Sequence, residues 1–316
     1  MPGMFLNAIT IKEAIDKIDD RTYLLPAIQR KFVWDKERIE SLFDSVMRGY
    51  PINSFMFWEV KSDLVKNGFK FYQFLGKFRE FFRENNPDIS TKGYKDFFAV
   101  IDGQQRLTSL YIGLKGTFAC KLPRKWWYDN EDSIPTRTLY LNLSKPLPDD
   151  NERQMLFDFQ FLTKKEFKSK ISEGGDIWYR VGDILEFNGK DGVDGYIDEK
   201  GWIKSDFIKQ TLRRLFDAVY RDQTIQGYLE KTQEIDTVLD IFIRTNSGGE
   251  PLSFSDLLMS ITTAHWKSDA RKEIPDVVDK VFKIGVPGFV IDKDLVLKAC
   301  LILLNDSINF KVGNFD

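Results

Sequence analysis

Asp102, Gly103, Gln104, Gln105 and Arg106 place an acid, a glycine, two amides and an arginine between a dense apolar run and a helical pattern. Each type suits phosphate chemistry. A glycine after a strand lets the backbone turn tightly and approach a ligand. A helix that begins at once offers unpaired N–H groups and the positive end of its dipole, a ready site for an anion. Arg106 can add a planar, two-pronged contact to a phosphate. Asp102 can hold Mg2+ or orient an attacking water. Gln104 or Gln105 can position that water or read a base edge, and Thr108, one turn on, is grouped with them as nucleotide-binding. The plain alternative is that Asp102 caps the helix and the glutamines are solvated first-turn residues.

Two further clusters pair amides with arginines. Gln29 and Arg30 lie in an extended apolar stretch, and Arg244, Asn246, Gly248 and Gly249 lie between two helical patterns. Taken alone, the first reads as a surface pair and the second as a loop with glycine at a helix C-cap. Three such clusters together suit an anionic, base-bearing ligand, with arginines for phosphates and amides for the base or ribose. No phosphate-binding loop of the G-x-x-x-x-G-K-[ST] kind is present.

Composition narrows the chemistry further. The chain has 316 residues, 42% hydrophobic and 14% aromatic, with a formal net charge of -2. That suffices for a sizeable core and argues against an overall nucleic-acid-binding charge. The single histidine, His265, removes histidine-based triads, metal sites and His-Asn-His nuclease chemistry. Cys120 and Cys300 have no paired spacing and read as ordinary buried thiols. Neither a signal peptide nor a long apolar span stands out, so the expectation is a cytoplasmic protein without a membrane segment.

The elements that must position these groups follow from periodicity. Asp35 caps a helix carrying Ile39, Leu42, Phe43, Val46 and Met47 on one stripe, closed by Gly49 and Pro51. Residues 54–60, 97–101 and 137–143 read as strands, and 104–114 as a helix with Leu107, Leu110, Tyr111 and Leu114 inward. The stretch 188–201 looks like a surface loop. Residues 205–220 form a helix capped by Ser205, and beyond about 233 the pattern is all helix. One helix there carries Ile235, Val238, Leu239 and Phe242, and another is capped by Ser253 or Ser255. The fold class is α+β, with a mixed core over 1–232 and a helical region over 233–316.

The stretches "LPAIQRKFVWDKERIESLFDSVMRGYPINSFMFWEV", "FFAVIDGQQRLTSLYIGL" and "VLDIFIRTNSGGEPLSFSDLLMS", in that order, resemble the DUF262 family, of the GmrSD restriction N-terminal type. The resemblance covers about residues 8 to 265. It implies a ParB/sulfiredoxin-like fold and a role in bacterial defence against phage, as the nucleotide-hydrolysing half of a modification-dependent restriction system. It makes 102–106 the motif that binds and hydrolyses a nucleoside triphosphate with Mg2+. Gln29 and Arg30 become the upstream motif, and Asn246 and Gly249 part of a loop near the same pocket. The residues do not choose the base; the likeness leans to GTP. Family members carry or pair with a DUF1524 nuclease domain of His-Asn-His type. This chain stops at Asp316 with one histidine, so either a nuclease domain follows, or the nuclease is a separate subunit, or this member does not cut DNA. ParB-like relatives also suggest a homo-oligomer.

A second reading is a module without turnover that senses modified DNA and recruits a nuclease. Its motive is Lys121, Arg124, Lys125 and Trp126, with Trp127 and Tyr128, where cations for phosphates are followed by rings able to stack on bases. The plain alternative packs these tryptophans partly into the core. A phosphotransferase, suggested by fold analogy alone, is a third reading.

Overall fold

Phe97–Asp102 (β7) is apolar up to its last residue and buries Phe97, Ala99, Val100 and Ile101. A run without alternation suits a strand covered on both faces. In the structure, a computed structural model describing residues 3–80, 86–202, 205–246, 259, 270–284, 289 and 291–304, β7 lies at the centre of a seven-stranded sheet. The order across it is β1 (Met4–Phe5), β12 (Gly227–Glu230), β3 (Phe55–Val60), β7, β2 (Tyr23–Pro26), β4 (Phe71–Tyr72) and β6 (Asp88–Ile89). β7 pairs antiparallel with β3 and parallel with β2. A second sheet joins β5 (Lys77–Arg79), β8 (Thr117–Ala119), β9 (Thr136–Asn142), β10 (Phe159–Leu162) and β11 (Trp178–Arg180), the last paired with β9. The class is α+β, as the patterning predicts.

Helices cover both faces of the central sheet. On one side lie α1 (Ile11–Asp19), α2 (Lys36–Met47), α4 (Gln104–Lys115) and α7 (Asp206–Tyr220), packed with both sheets into the larger core. On the other, Trp58, Phe71, Phe97 and Ile101 meet Val65 of α3 (Asp63–Gly68) and Val238, Leu239 and Phe242 of α8 (Ile235–Asn246). The expected boundary at 232/233 falls between β12 and α8, and α8 shares this second core. The Trp58 Nε1–H donates to the Thr232 carbonyl at 2.6 Å, tying β3 to the segment before α8. Beyond α8, Ala270–Phe282 (α9) and Lys293–Leu304 (α10) pack on each other around Ala270, Ile274 and Leu297.

Local signals placed several boundaries well. Asp35 accepts from the Arg38 N–H and starts α2, whose apolar stripe is buried. Ser205 accepts from Ile208 N–H at the start of α7. Gly49 takes φ +72 just past α2, a conformation that favours glycine.

Three expectations need correction. The stretch read as a surface loop contains a helix, Lys190–Glu199 (α6). Val193 and Ile197 are buried at a spacing of four and Tyr196 packs beside them, so burial overrides two weak helix formers, Gly192 and Gly195. Asp102 does not cap α4: Gly103 occupies the N-cap and no side chain caps the turn. Trp126, Trp127 and Tyr128 are not core residues but are 70%, 39% and 61% exposed. The cysteines are half-buried and free. Asn246 ends α8, but its side chain, Gly248, Gly249, the caps proposed at Ser253 and Ser255, and His265 lie outside the described residues.

Candidate functional site: the cleft at the end of the central strand

β7 delivers Asp102 to its C-terminal end, and the chain turns into α4 through Gly103 at φ +88. A Cβ there would lie 2.2 Å from the Phe55 ring, so the turn admits only glycine on two counts, conformation and space. The first-turn N–H groups of α4 have no partner within the helix and no side-chain cap. They open towards a cleft of about 950 Å3. Gln29, Arg30 and Asp102 to Arg106 all line it, so two of the three sequence clusters converge on one cavity.

The amides and the arginine build this cleft's walls. Gln29, buried between β2 and α2, donates from Nε2 to the carbonyls of Val100 (2.9 Å) and Ile101 at the end of β7. Gln104 donates to the Arg30 carbonyl. Gln105 donates to the Lys31 carbonyl at 3.1 Å and accepts from the Val33 N–H at 3.0 Å. The start of α4 therefore grips residues 30–33 by their backbone, and that segment returns the grip to β7 through Gln29. The solvated-glutamine alternative does not hold, because Gln104 is buried. Its Oε1 is buried with no partner, an arrangement that costs about 1–3 kcal/mol and that a hydroxyl or N–H from a ligand would relieve.

Arg106 is also structural in part. Its guanidinium donates to the carbonyls of Ile52 and Ser54 (3.0 Å for the latter), pairs with Asp102 at 3.2 Å and lies over the Phe55 ring, 4.5 Å from the ring centre. Burial pulls its pKa below the usual guanidinium range while Asp102 pulls it back up. An arginine stays charged under such a shift. Its positive charge thus stands at the cleft wall while its fork is held by the 52–54 loop.

The remaining candidates spread out. Thr108 is buried inside α4 and is not part of the cleft lining. Arg244 is exposed in the last turn of α8, close in sequence to Phe242, which does reach the cleft. Lys121, Arg124, Lys125 and Trp126 sit on the connection between β8 and β9, away from it.

Sequence reasoning missed two cleft cations, Arg38 and Arg153. Arg38 lies in the first turn of α2, where it reads as an ordinary polar helix face. Arg153 lies in a charged stretch that reads as a solvated loop; it pairs with Glu40 at 2.7 Å and donates to the Glu37 carbonyl at 2.8 Å. Burial raises the Glu40 carboxyl above its ordinary range, against the Phe161 N–H and Arg153. Only the fold brings either arginine into the same cleft as the motif.

Among the described residues no group of three or more His, Cys, Asp or Glu side chains could hold a metal ion. A divalent ion here would rely on Asp102 and on ligand phosphates for its coordination, a common arrangement for Mg2+. No helix among the described residues is long and apolar enough to cross a membrane.

Two comparisons bear on this site. Uncharacterized protein MJ0686 of Methanocaldococcus jannaschii is 27% identical over 191 residues, which cover 53% of this chain and 30% of that protein. The chain therefore spans about a third of that relative's length. A family model described as "GmrSD restriction endonuclease, N-terminal domain" matches residues 11–263. That span contains β2, α2, β7, α4 and α8, hence every residue lining the cleft, and the chain belongs to the family of GmrSD restriction endonuclease N-terminal domains.

Proposed function

We propose that this restriction-system module binds a nucleoside triphosphate with Mg2+ in the cleft, hydrolyses it, and so gates a nuclease carried on another domain or subunit in defence against phage. The observation that carries the reading is the convergence of residues 29–30 and 102–106 on one 950 Å3 cleft beside the uncapped start of α4. The triphosphate lies along that helix start, where N–H groups and the dipole favour negative charge. Arg38 and Arg153 line the same cleft and Arg106 adds charge from the wall. Bound Mg2+ would neutralise phosphate charge and polarise the terminal phosphoryl group. Asp102, with a partly exposed carboxylate, holds that ion through its oxygens or orients the attacking water. Gln104 and Gln105 keep residues 30–33 in place, so their part in binding is to shape the wall. GTP is the first nucleotide to test.

Asp102→Asn separates binding from turnover. It preserves size and leaves the first-turn amides intact, so the variant binds nucleotide within a few-fold of the parent but releases phosphate at least a hundredfold more slowly. Parental phosphate release from the folded variant would remove Asp102 from the mechanism. A module that senses modified DNA without turnover remains a second reading, favoured by the exposed basic-aromatic loop. Phosphate release by the parent chain separates the two.

A further inference from the structure

The connection from β8 to β9, residues 120–135, is long for a link between neighbouring antiparallel strands. It is nevertheless held in place. The Leu122 N–H donates to the Ser133 carbonyl at 2.8 Å, the Ile134 N–H to the Asn130 carbonyl at 2.9 Å, and the Lys121 N–H to Glu80 at 2.8 Å. At the outer end Trp126, Trp127 and Tyr128 expose 70%, 39% and 61% of their surface. Arg124 takes φ +63, a left-handed conformation that is costly for a residue with a Cβ. An anchored loop that turns three consecutive rings outward is a contact surface rather than a packing leftover.

The charges say what it contacts. Lys121, Arg124 and Lys125 precede the rings, and Lys121 Nζ lies 5.4 Å from the centre of the Trp127 ring. Two of the following acids are already engaged. Arg79 on β5 pairs with Asp129 at 2.5 Å and Glu131 at 3.3 Å, and Glu131 also accepts from the Thr136 N–H and hydroxyl. Exposed cations and exposed rings thus share one short segment, on a chain whose net charge is -2. Flat rings stack on bases of any sequence, but only where those bases are unpaired, and cations at matching spacing meet the phosphates.

We propose that the β8–β9 loop is a docking surface for single-stranded nucleic acid, with Trp126 and Tyr128 stacking on unpaired bases and Lys121, Arg124 and Lys125 on the backbone. This stands independently of the nucleotide reading, because the loop is not part of the cleft. The test titrates the intact chain into a fluorescently labelled 12-nucleotide oligothymidine without nucleoside triphosphate, at several salt concentrations. Three cations on a single strand give a slope of log affinity against log salt of about -2. The triple variant Lys121→Ala, Arg124→Ala, Lys125→Ala flattens that slope and weakens binding at least tenfold at low salt. The double variant Trp126→Ala, Tyr128→Ala weakens it tenfold or more and leaves the slope intact. Asp102→Asn binds as the parent does, which separates this surface from the cleft. All of these residues but half-buried Lys121 and Asp102 are exposed, and unchanged circular dichroism checks each fold. No binding at low salt, parental affinity in the double variant, or tighter binding of the matching duplex would each overturn the proposal. Altered self-association in the double variant without oligonucleotide binding would make the loop a protein interface instead, and overturn it too.

Discussion

Arg106 sits at the meeting point of helix, loop and cleft, and its role turns on shape as much as charge. One guanidinium serves two carbonyls, a carboxylate and a ring face. Lysine would keep the charge but could not bridge these groups. Arg106→Lys is therefore expected to lose nucleotide affinity nearly as fully as Arg106→Ala, and to lower the unfolding midpoint as well; parental affinity in the lysine variant would show that charge alone suffices. Gly103 gives a second test at this scale. Gly103→Ala forces a Cβ into Phe55 in a left-handed turn and is expected to destabilise by about 1–3 kcal/mol in denaturant unfolding. The residue types at 102–106 were legible as a phosphate-directed group, but the partners of the two glutamines were not. Those partners are backbone groups some seventy residues earlier, and a backbone carbonyl or N–H carries no mark in the sequence that says what it will pair with.

At the scale of elements, α2, β7, α4 and α7 were readable because caps, stripes and apolar runs agreed with one another. α6 was not, because its glycines and acids carry a turn-like composition while Val193 and Ile197, the residues that decide it, are few. Gly195 is helical, with nothing within 4 Å of where a Cβ would lie. Gly195→Ala should then raise stability by about 0.5–1 kcal/mol. A neutral or destabilising result would point back to a loop. α8 was legible as a helix, but the sequence hid that its Phe242 reaches both the second core and the cleft. Phe242→Ala is expected to cost about 3–5 kcal/mol, by loss of buried contact and the cavity left behind, and to weaken nucleotide binding in step. Loss of stability with unchanged binding in the folded fraction would detach α8 from the cleft.

Across the whole molecule, one sheet with helices on both faces brings the segments around residues 30 and 103 together at a strand end, with Phe242 behind them. Arg38 and Arg153 complete the cleft only because α2 and the 148–156 loop fold over it; no spacing rule connects them to the motif. The second sheet instead presents the β8–β9 loop, whose Glu131 contributes to stability in a pH-dependent way. The Thr136 N–H, partly opposed by burial and helped by the Thr136 hydroxyl and Arg79, holds the Glu131 carboxyl below its usual 4.5. A lowered carboxylate stabilises above the unfolded value and loses that contribution as pH falls through the folded one. Glu131→Gln should therefore lower the unfolding midpoint most at neutral pH, with the gap to the parent closing below pH 4.5.

The account stands or falls on whether the cleft takes a nucleotide. The most direct measurement is thermal unfolding of the chain with GTP, ATP, CTP or UTP, each with Mg2+, beside an Arg38→Glu variant. Arg38 is exposed, so charge reversal leaves the fold intact while placing an acid in the cleft. At about 100 times its dissociation constant a bound nucleotide stabilises by about 2.7 kcal/mol. The account predicts that at least one nucleotide raises the parent's midpoint and that Arg38→Glu abolishes the rise. No shift with any of the four, or a full shift in the variant, would contradict it.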